Sequence, residues 1–150
     1  PFLGEIKMAK KEVDDRFKKF GTVAFTSISK VNEFIGYLEN GQVMATKCKD
    51  CGAQYFPPRA DCSKCLGNSM EWAPVSGQGE LISFSKLQYG PVGFENDLPY
   101  TIGVAQFKDV KVFGRIAKEL PEDQISVGMK VTVAPVTLPG DKISYEFKKA

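Results

Sequence analysis

Histidine is missing from all 150 residues. Its absence excludes Ser-His-Asp and Cys-His nucleophiles, an imidazole general base and any zinc site with histidine ligands. An excess of one charge is missing too: 20 Lys and Arg stand against 18 Asp and Glu, a formal +2. Basic groups are spread along the chain, seven against six acidic in residues 1–40, four against three in 41–75 and nine against nine in 76–150. Nucleic-acid backbones are held by basic patches, and none is visible here. No apolar run is longer than a few residues, so no segment reads as a membrane-spanning helix. No secretory pattern precedes Met8-Ala9-Lys10-Lys11, which reads as a natural start, with residues 1–7 a leader or added sequence. Without such a signal, four cysteines are expected to be thiolate ligands in a reducing cytoplasm rather than disulfides.

Those cysteines carry the strongest pattern in the chain. Cys48-Lys49-Asp50-Cys51-Gly52 and Cys62-Ser63-Lys64-Cys65-Leu66-Gly67 are two C-x-x-C knuckles separated by ten residues. Each knuckle turns tightly enough to aim two sulfurs at one ion at about 2.3 Å, and a tetrahedral metal needs two such pairs. Gly52 and Gly67 suit the positive φ that these turns require. Structural zinc held by Cys48, Cys51, Cys62 and Cys65 is the expectation, with iron in a rubredoxin-like centre as the alternative. A redox dithiol would use one C-x-x-C rather than two in series. Four thiolates and one divalent ion subtract two charges, leaving the chain near neutral.

Three regions separate by pattern: an N-terminal helical segment over 1–40, a rubredoxin-like zinc ribbon over 41–75 and a five-stranded OB-fold barrel over 76–150. Val13, Phe17 and Phe20 predict a helix over 10–20 that stops at Gly21. Val31, Phe34, Ile35 and Leu38 predict a second helix, N-capped by Ser29 and closed by Asn40-Gly41. Runs rich in Val, Ile, Phe and Tyr predict strands over 80–88, 100–108, 110–117, 130–136 and 143–147, with a short helix inside 118–128. Five strands interrupted at that point fit a small Greek-key barrel of the OB type, and a five-stranded sandwich fits almost as well. The fold class is therefore mainly β with N-terminal helices. Phe84, Tyr89, Phe94, Tyr100, Phe107 and Phe113 are read as barrel core before base-stacking platforms.

In order, these residues resemble a known family. Tyr37-Leu38-Glu39-Asn40-Gly41-Gln42-Val43, the first knuckle, Tyr55-Phe56-Pro57-Pro58-Arg59, the second knuckle and Trp72 match its ribbon. Gly77-Gln78-Gly79-Glu80-Leu81-Ile82-Ser83-Phe84, Pro99-Tyr100-Thr101-Ile102-Gly103-Val104-Ala105 and Ile125-Ser126-Val127-Gly128-Met129-Lys130-Val131 match its barrel. The family is the zinc-ribbon plus OB-fold, acyl-CoA-associated proteins, accessory subunits of thiolases and hydroxymethylglutaryl-CoA synthases. One specialised version is the small subunit of benzoylsuccinyl-CoA thiolase, with which the length and N-terminal helix are compatible. The resemblance implies a non-catalytic accessory subunit of a thiolase-type acyl-CoA enzyme complex. Such a subunit docks on a thiolase-fold catalytic partner in a hetero-oligomer and assists binding of acyl-CoA or coenzyme A.

A thiolase needs a nucleophilic cysteine, an acid–base pair and an oxyanion hole. With no histidine and all four thiols committed to metal, this chain is left with recognition. Phe56, Arg59, Tyr89 and Phe94 are the candidate CoA or partner contacts. Arg59 would meet nucleotide phosphates, or else hydrogen-bond loop carbonyls. The long connection holding Tyr89 and Phe94 would touch ligand, or else form a mobile hairpin. The competing functional classes are a nucleic-acid-binding zinc-ribbon/OB-fold protein and a rubredoxin-like electron carrier.

Overall fold

The computed structural model describes residues 12–150, so Met8 and the start of the helix expected over 10–20 lie outside the described residues. The described part of that stretch is not an α-helix. It forms one 3₁₀ turn, Arg16–Lys19, with Phe17 and Phe20 packed on the core. The Arg16 amide donates to Asp14 Oδ1 at 3.2 Å, a side-chain-to-backbone bond that favours a local turn over continued helix. From Gly21, whose φ is +74°, a bent strap without regular secondary structure runs to Ser29.

The second helix, α1 (Glu33–Glu39), carries the expected stripe: Phe34, Ile35 and Leu38 are all buried. Its start is later than the sequence suggests. Ser29 Oγ accepts from the Val31 amide, so Ser29 caps the turn before the helix, and Asn32 occupies the N-cap position. Gly41, at φ +83°, takes the chain out after Asn40.

Two sheets follow. The ribbon sheet has strand order β2-β1-β3, all antiparallel, from β1 (Met44–Cys48), β2 (Gln54–Tyr55) and β3 (Met70–Pro74). The second is a closed five-stranded barrel of β4 (Gly79–Leu87), β5 (Tyr100–Phe107), β6 (Val110–Ile116), β7 (Lys130–Leu138) and β8 (Lys142–Lys149). Its order, β4-β5-β6-β8-β7, includes a parallel β6–β8 pairing and closes through an antiparallel β4–β7 pairing, where an open sandwich would leave edges. A 3₁₀ turn, Glu122–Gln124, fills the interval between β6 and β7.

The strand pattern explains the closure. β6 alternates cleanly, with Val110, Val112, Gly114 and Ile116 inward. On β4 the alternation is reset because Ile82 is the extra residue of a bulge between Leu81 and Ser83. Close approach is set by glycine: a Cβ on Gly103 would stand 2.8 Å from Leu81 Cδ1 and 3.1 Å from the Ser83 carbonyl oxygen. Of the six aromatics read as core, Phe107 and Tyr100 are buried, but Phe84, Phe113 and Tyr89 are exposed. Phe113 alternates outward on β6 and Tyr89 lies past the end of β4, so hydrophobicity alone misassigned them.

One continuous core joins all three parts. Phe34, Ile35 and Leu38 of α1, Val43 and Ala45 at the ribbon entry, and Leu81, Val112, Val131 and Phe147 of the barrel belong to a single buried cluster. Phe34 is its junction. Its ring lies 5.6 Å from Phe20, 6.0 Å from Phe56 and 6.4 Å from Tyr145, each edge-on. No helix among the described residues is long and apolar enough to cross a membrane.

Candidate metal centre and neighbouring cleft

The first knuckle leaves the end of β1, and Gly52 at φ +75° returns its amide to the Cys48 carbonyl at 2.9 Å. The second knuckle closes through the Cys62 amide on the Gly67 carbonyl at 2.8 Å. Here the expected glycine is displaced by one. Leu66 takes the positive φ, +62°, while Gly67 makes room, since a Cβ there would lie 3.1 Å from Asp50 Oδ2 and 3.4 Å from Cys65 Sγ.

The four sulfurs converge within 4.8 Å of one another, and Cys48–Cys65 and Cys51–Cys62 are each 3.5 Å apart. A tetrahedron with metal–sulfur arms of about 2.3 Å has edges of roughly 3.8 Å, so the cluster fits a four-sulfur ion. No disulfide competes, for all four cysteines are free. The Tyr55 hydroxyl stands 3.1 Å from Cys62 Sγ. That hydroxyl pulls the Cys62 thiol down to about 6. Against the Gly67 amide, which pulls it down, the crowding Cys48 and Cys62 sulfurs push Cys65 up to about 12. Four thiolates this close repel one another. A divalent cation among them removes that conflict.

Between the barrel, the strap and the β4–β5 connection lies a cleft of about 810 Å³. Phe20, Phe94, Tyr100, Phe113 and Tyr145 form its walls, and Arg115, Lys118, Asp97, Glu119 and Glu146 supply its charges. Arg115 lies 4.1 Å over the Tyr100 ring and 5.5 Å from that of Phe94, and pairs with Asp97 at 3.1 Å. Thr22 Oγ1 donates to the same Asp97 oxygen at 2.9 Å, tying the strap across the mouth. Burial pushes the Asp97 carboxyl up, but the Thr22 and Arg115 hydrogen bonds more than offset it and hold it below its ordinary value. Burial, with Glu119 nearby, pushes Glu146 up.

The expected contact residues do not come together. Phe56 is half-buried beneath Tyr145, 5.1 Å between ring centroids, where it joins ribbon to barrel. Arg59 is exposed on a separate shallow groove with Lys30 and Asp61. Its guanidinium stacks 5.1 Å over Tyr55, and its amide donates to Thr46 Oγ1 at 2.8 Å. Tyr89 projects into solvent, 89% exposed. Phe94 alone lines the cleft. Arg115, Asp97 and Thr22 went unnoticed in the sequence because they lie 93 and 18 residues apart, with no spacing that marks them. Tyr55 stands beside Phe56 in the motif, and no spacing in the sequence ties it to Cys62.

Residues 37–71 match the family model described as the ChsH2 rubredoxin-like zinc ribbon domain, and residues 72–135 the ChsH2 C-terminal OB-fold domain. The chain is 33% identical over 91 residues to a DUF35 domain-containing scaffold protein of Methanocaldococcus jannaschii, covering 59% of this chain and 64% of that protein, just under two thirds of its length. It is 30% identical over 107 residues to the benzoylsuccinyl-CoA thiolase subunit BbsA of Thauera aromatica, covering 69% of this chain and 73% of that one. Among solved structures, the Ltp2-ChsH2(DUF35) aldolase superposes with a TM-score of 0.66 at 17% identity, over 82% of this chain and 97% of that chain, a likeness of fold. The paired ribbon and barrel, matched in order by both models, make this chain a member of the ChsH2/DUF35 family of zinc-ribbon plus OB-fold proteins.

Proposed function

We propose that this protein is a non-catalytic accessory subunit of a thiolase-type acyl-CoA enzyme complex, folded around a structural zinc. The likeness to a benzoylsuccinyl-CoA thiolase subunit over 73% of that subunit's length carries the reading. The chemistry of the chain agrees with it. There is no histidine, and the four cysteines face one another rather than a substrate cleft. Cys48, Cys51, Cys62 and Cys65 are the zinc ligands. The ion supplies a cross-link for a segment with little core of its own, and four sulfurs leave it no open coordination position. Free thiols arranged for zinc suit the cytoplasm. The working parts divide as residues 1–40, 41–75 and 76–150.

The catalytic partner is a thiolase-fold subunit in a hetero-oligomer. Phe25 and Tyr89, each more than four-fifths exposed, are side chains that such a partner would cover. Acyl-CoA enters by its uncharged part. The cleft has the volume of a ligand site and aromatic walls, but Asp97, Glu119 and Glu146 stand beside Arg115 and Lys118. That balance suits pantetheine and an acyl group better than nucleotide phosphates. The test is reconstitution: adding this chain to the catalytic subunit lowers its KM for acyl-CoA, while the chain alone gives no turnover. Turnover by the chain alone would overturn the proposal.

A second reading, nucleic-acid binding, is favoured by the exposed Phe84 and Phe113 on an OB barrel. The even charge opposes it. Submicromolar binding of single-stranded DNA at physiological salt, with a steep salt slope, would favour this reading over the first.

A further inference from the structure

The Tyr55 hydroxyl lies 3.1 Å from Cys62 Sγ. It also accepts two hydrogen bonds, from Ser63 Oγ at 3.2 Å and from the Lys64 amide at 3.3 Å. A phenolic oxygen has two lone pairs and one proton. With both lone pairs taken, its proton is left for the sulfur. The Lys64 amide, spent on the phenolic oxygen, thus helps to turn the hydroxyl proton toward Cys62.

The tyrosine is itself held. Thr46, its antiparallel partner on β1, accepts the Arg59 amide at 2.8 Å, and this folds the loop back so that the Arg59 guanidinium covers the Tyr55 ring. A planar cation on an aromatic face fixes the ring's tilt and hence the direction of its hydroxyl. We infer that Tyr55 is a positioning residue of the metal centre: its hydroxyl donates to the Cys62 thiolate, and Arg59, stacked on the ring, keeps it aimed.

The inference rests on the zinc reading, and its test separates the two. Wild type, Tyr55→Phe and Arg59→Gln are loaded with zinc as full chains, and affinity is read by competition with a coloured chelator. Partners outside the ligand shell are worth 10–100-fold in metal affinity, so Y55F is expected to lose about that much and R59Q about two- to threefold. The same proteins loaded with cobalt give a second readout. Hydrogen bonds lower the energy of sulfur lone pairs, so Y55F is expected to move the sulfur-to-cobalt absorption to longer wavelength. Affinity within twofold of wild type and superimposable cobalt spectra in Y55F would overturn the inference and leave the zinc site standing. Arg59 is exposed, so R59Q keeps the test in hand should Y55F lose its fold, and an R59Q protein that binds zinc with wild-type affinity removes the part assigned to Arg59. A wild-type chain that holds no zinc overturns both.

Discussion

Phe34→Ala is the sharpest mechanical test of the shared core. The ring is 1% exposed at the point where strap, ribbon and barrel meet, touching Phe20, Phe56 and Tyr145 edge-on. Truncating a buried Phe costs about 3–5 kcal/mol through lost transfer energy and the cavity left behind. A chain of this size shifts its midpoint by about 3–4 °C per kcal/mol, so the variant is expected to melt roughly 10–20 °C lower. Two probes separate a common core from independent parts. Trp72, the chain's single tryptophan, lies on β3 of the ribbon with Tyr37 of α1 5.2 Å away, so its fluorescence reports the ribbon–helix contact. Far-UV circular dichroism reports chiefly the barrel. Urea unfolding of the zinc-loaded protein should show both transitions moving together. A Trp72 transition that stays put while the barrel weakens, or a loss below about 1 kcal/mol by both probes, would refute the single core.

Other outcomes follow from the same structure. Gly103→Ala should destabilise by about 1–3 kcal/mol in chemical denaturation, because the new methyl meets Leu81 and the Ser83 carbonyl inside the barrel. Leu66→Gly should stabilise by about 0.5–1 kcal/mol, since Leu66 holds a positive φ while 87% exposed and so has little packing to lose. The Asp97 carboxylate is held below its ordinary value of 3.8, so its contribution is present above that pH and is lost as pH falls through the folded value. Acidification below about pH 4 should therefore lower the protection factor of the Gly21 amide, which donates to the Ile143 carbonyl, once the intrinsic slowing of exchange by acid is divided out, and Asp97→Asn should remove that pH dependence. Cys48→Ser or Cys62→Ser should release the metal and unfold the ribbon, seen as altered Trp72 fluorescence. A double variant that stays folded would contradict the structural role.

Legibility in the sequence tracked how local the governing interaction was. The knuckles were readable because their ligands lie three residues apart, and the barrel because each strand announces itself by β-branched and aromatic runs bounded by turns. The ends of β5 and β6 fall within a residue of the positions expected. Over 12–20 the expected helix gives way to a single turn and a strap, where the Asp14 carboxylate takes the Arg16 amide and Gly21 holds a positive φ. Phe84 and Phe113 face outward because composition gives a residue's preference and only strand phase gives its face, while Tyr89 lies beyond the strand altogether. Leu66 shows the same gap at one dihedral angle, where the backbone asks for glycine one position before the sequence supplies it. Phe56, Arg59, Tyr89 and Phe94 lie apart because side-chain chemistry alone does not bring residues together, while convergence depends on contacts between distant segments such as Thr22, Asp97 and Arg115.

The claim on which the functional account stands is that this chain supplies surfaces and no chemistry of its own. Its most direct measurement is isolation of the tagged chain from its native host, with the stoichiometry, identity and activity of the purified species determined together. A complex with an acyl-CoA enzyme of thiolase fold, whose turnover disappears when that enzyme is removed, is the result expected. A chain that elutes alone and catalyses acyl transfer, or that carries nucleic acid in place of an enzyme, contradicts it.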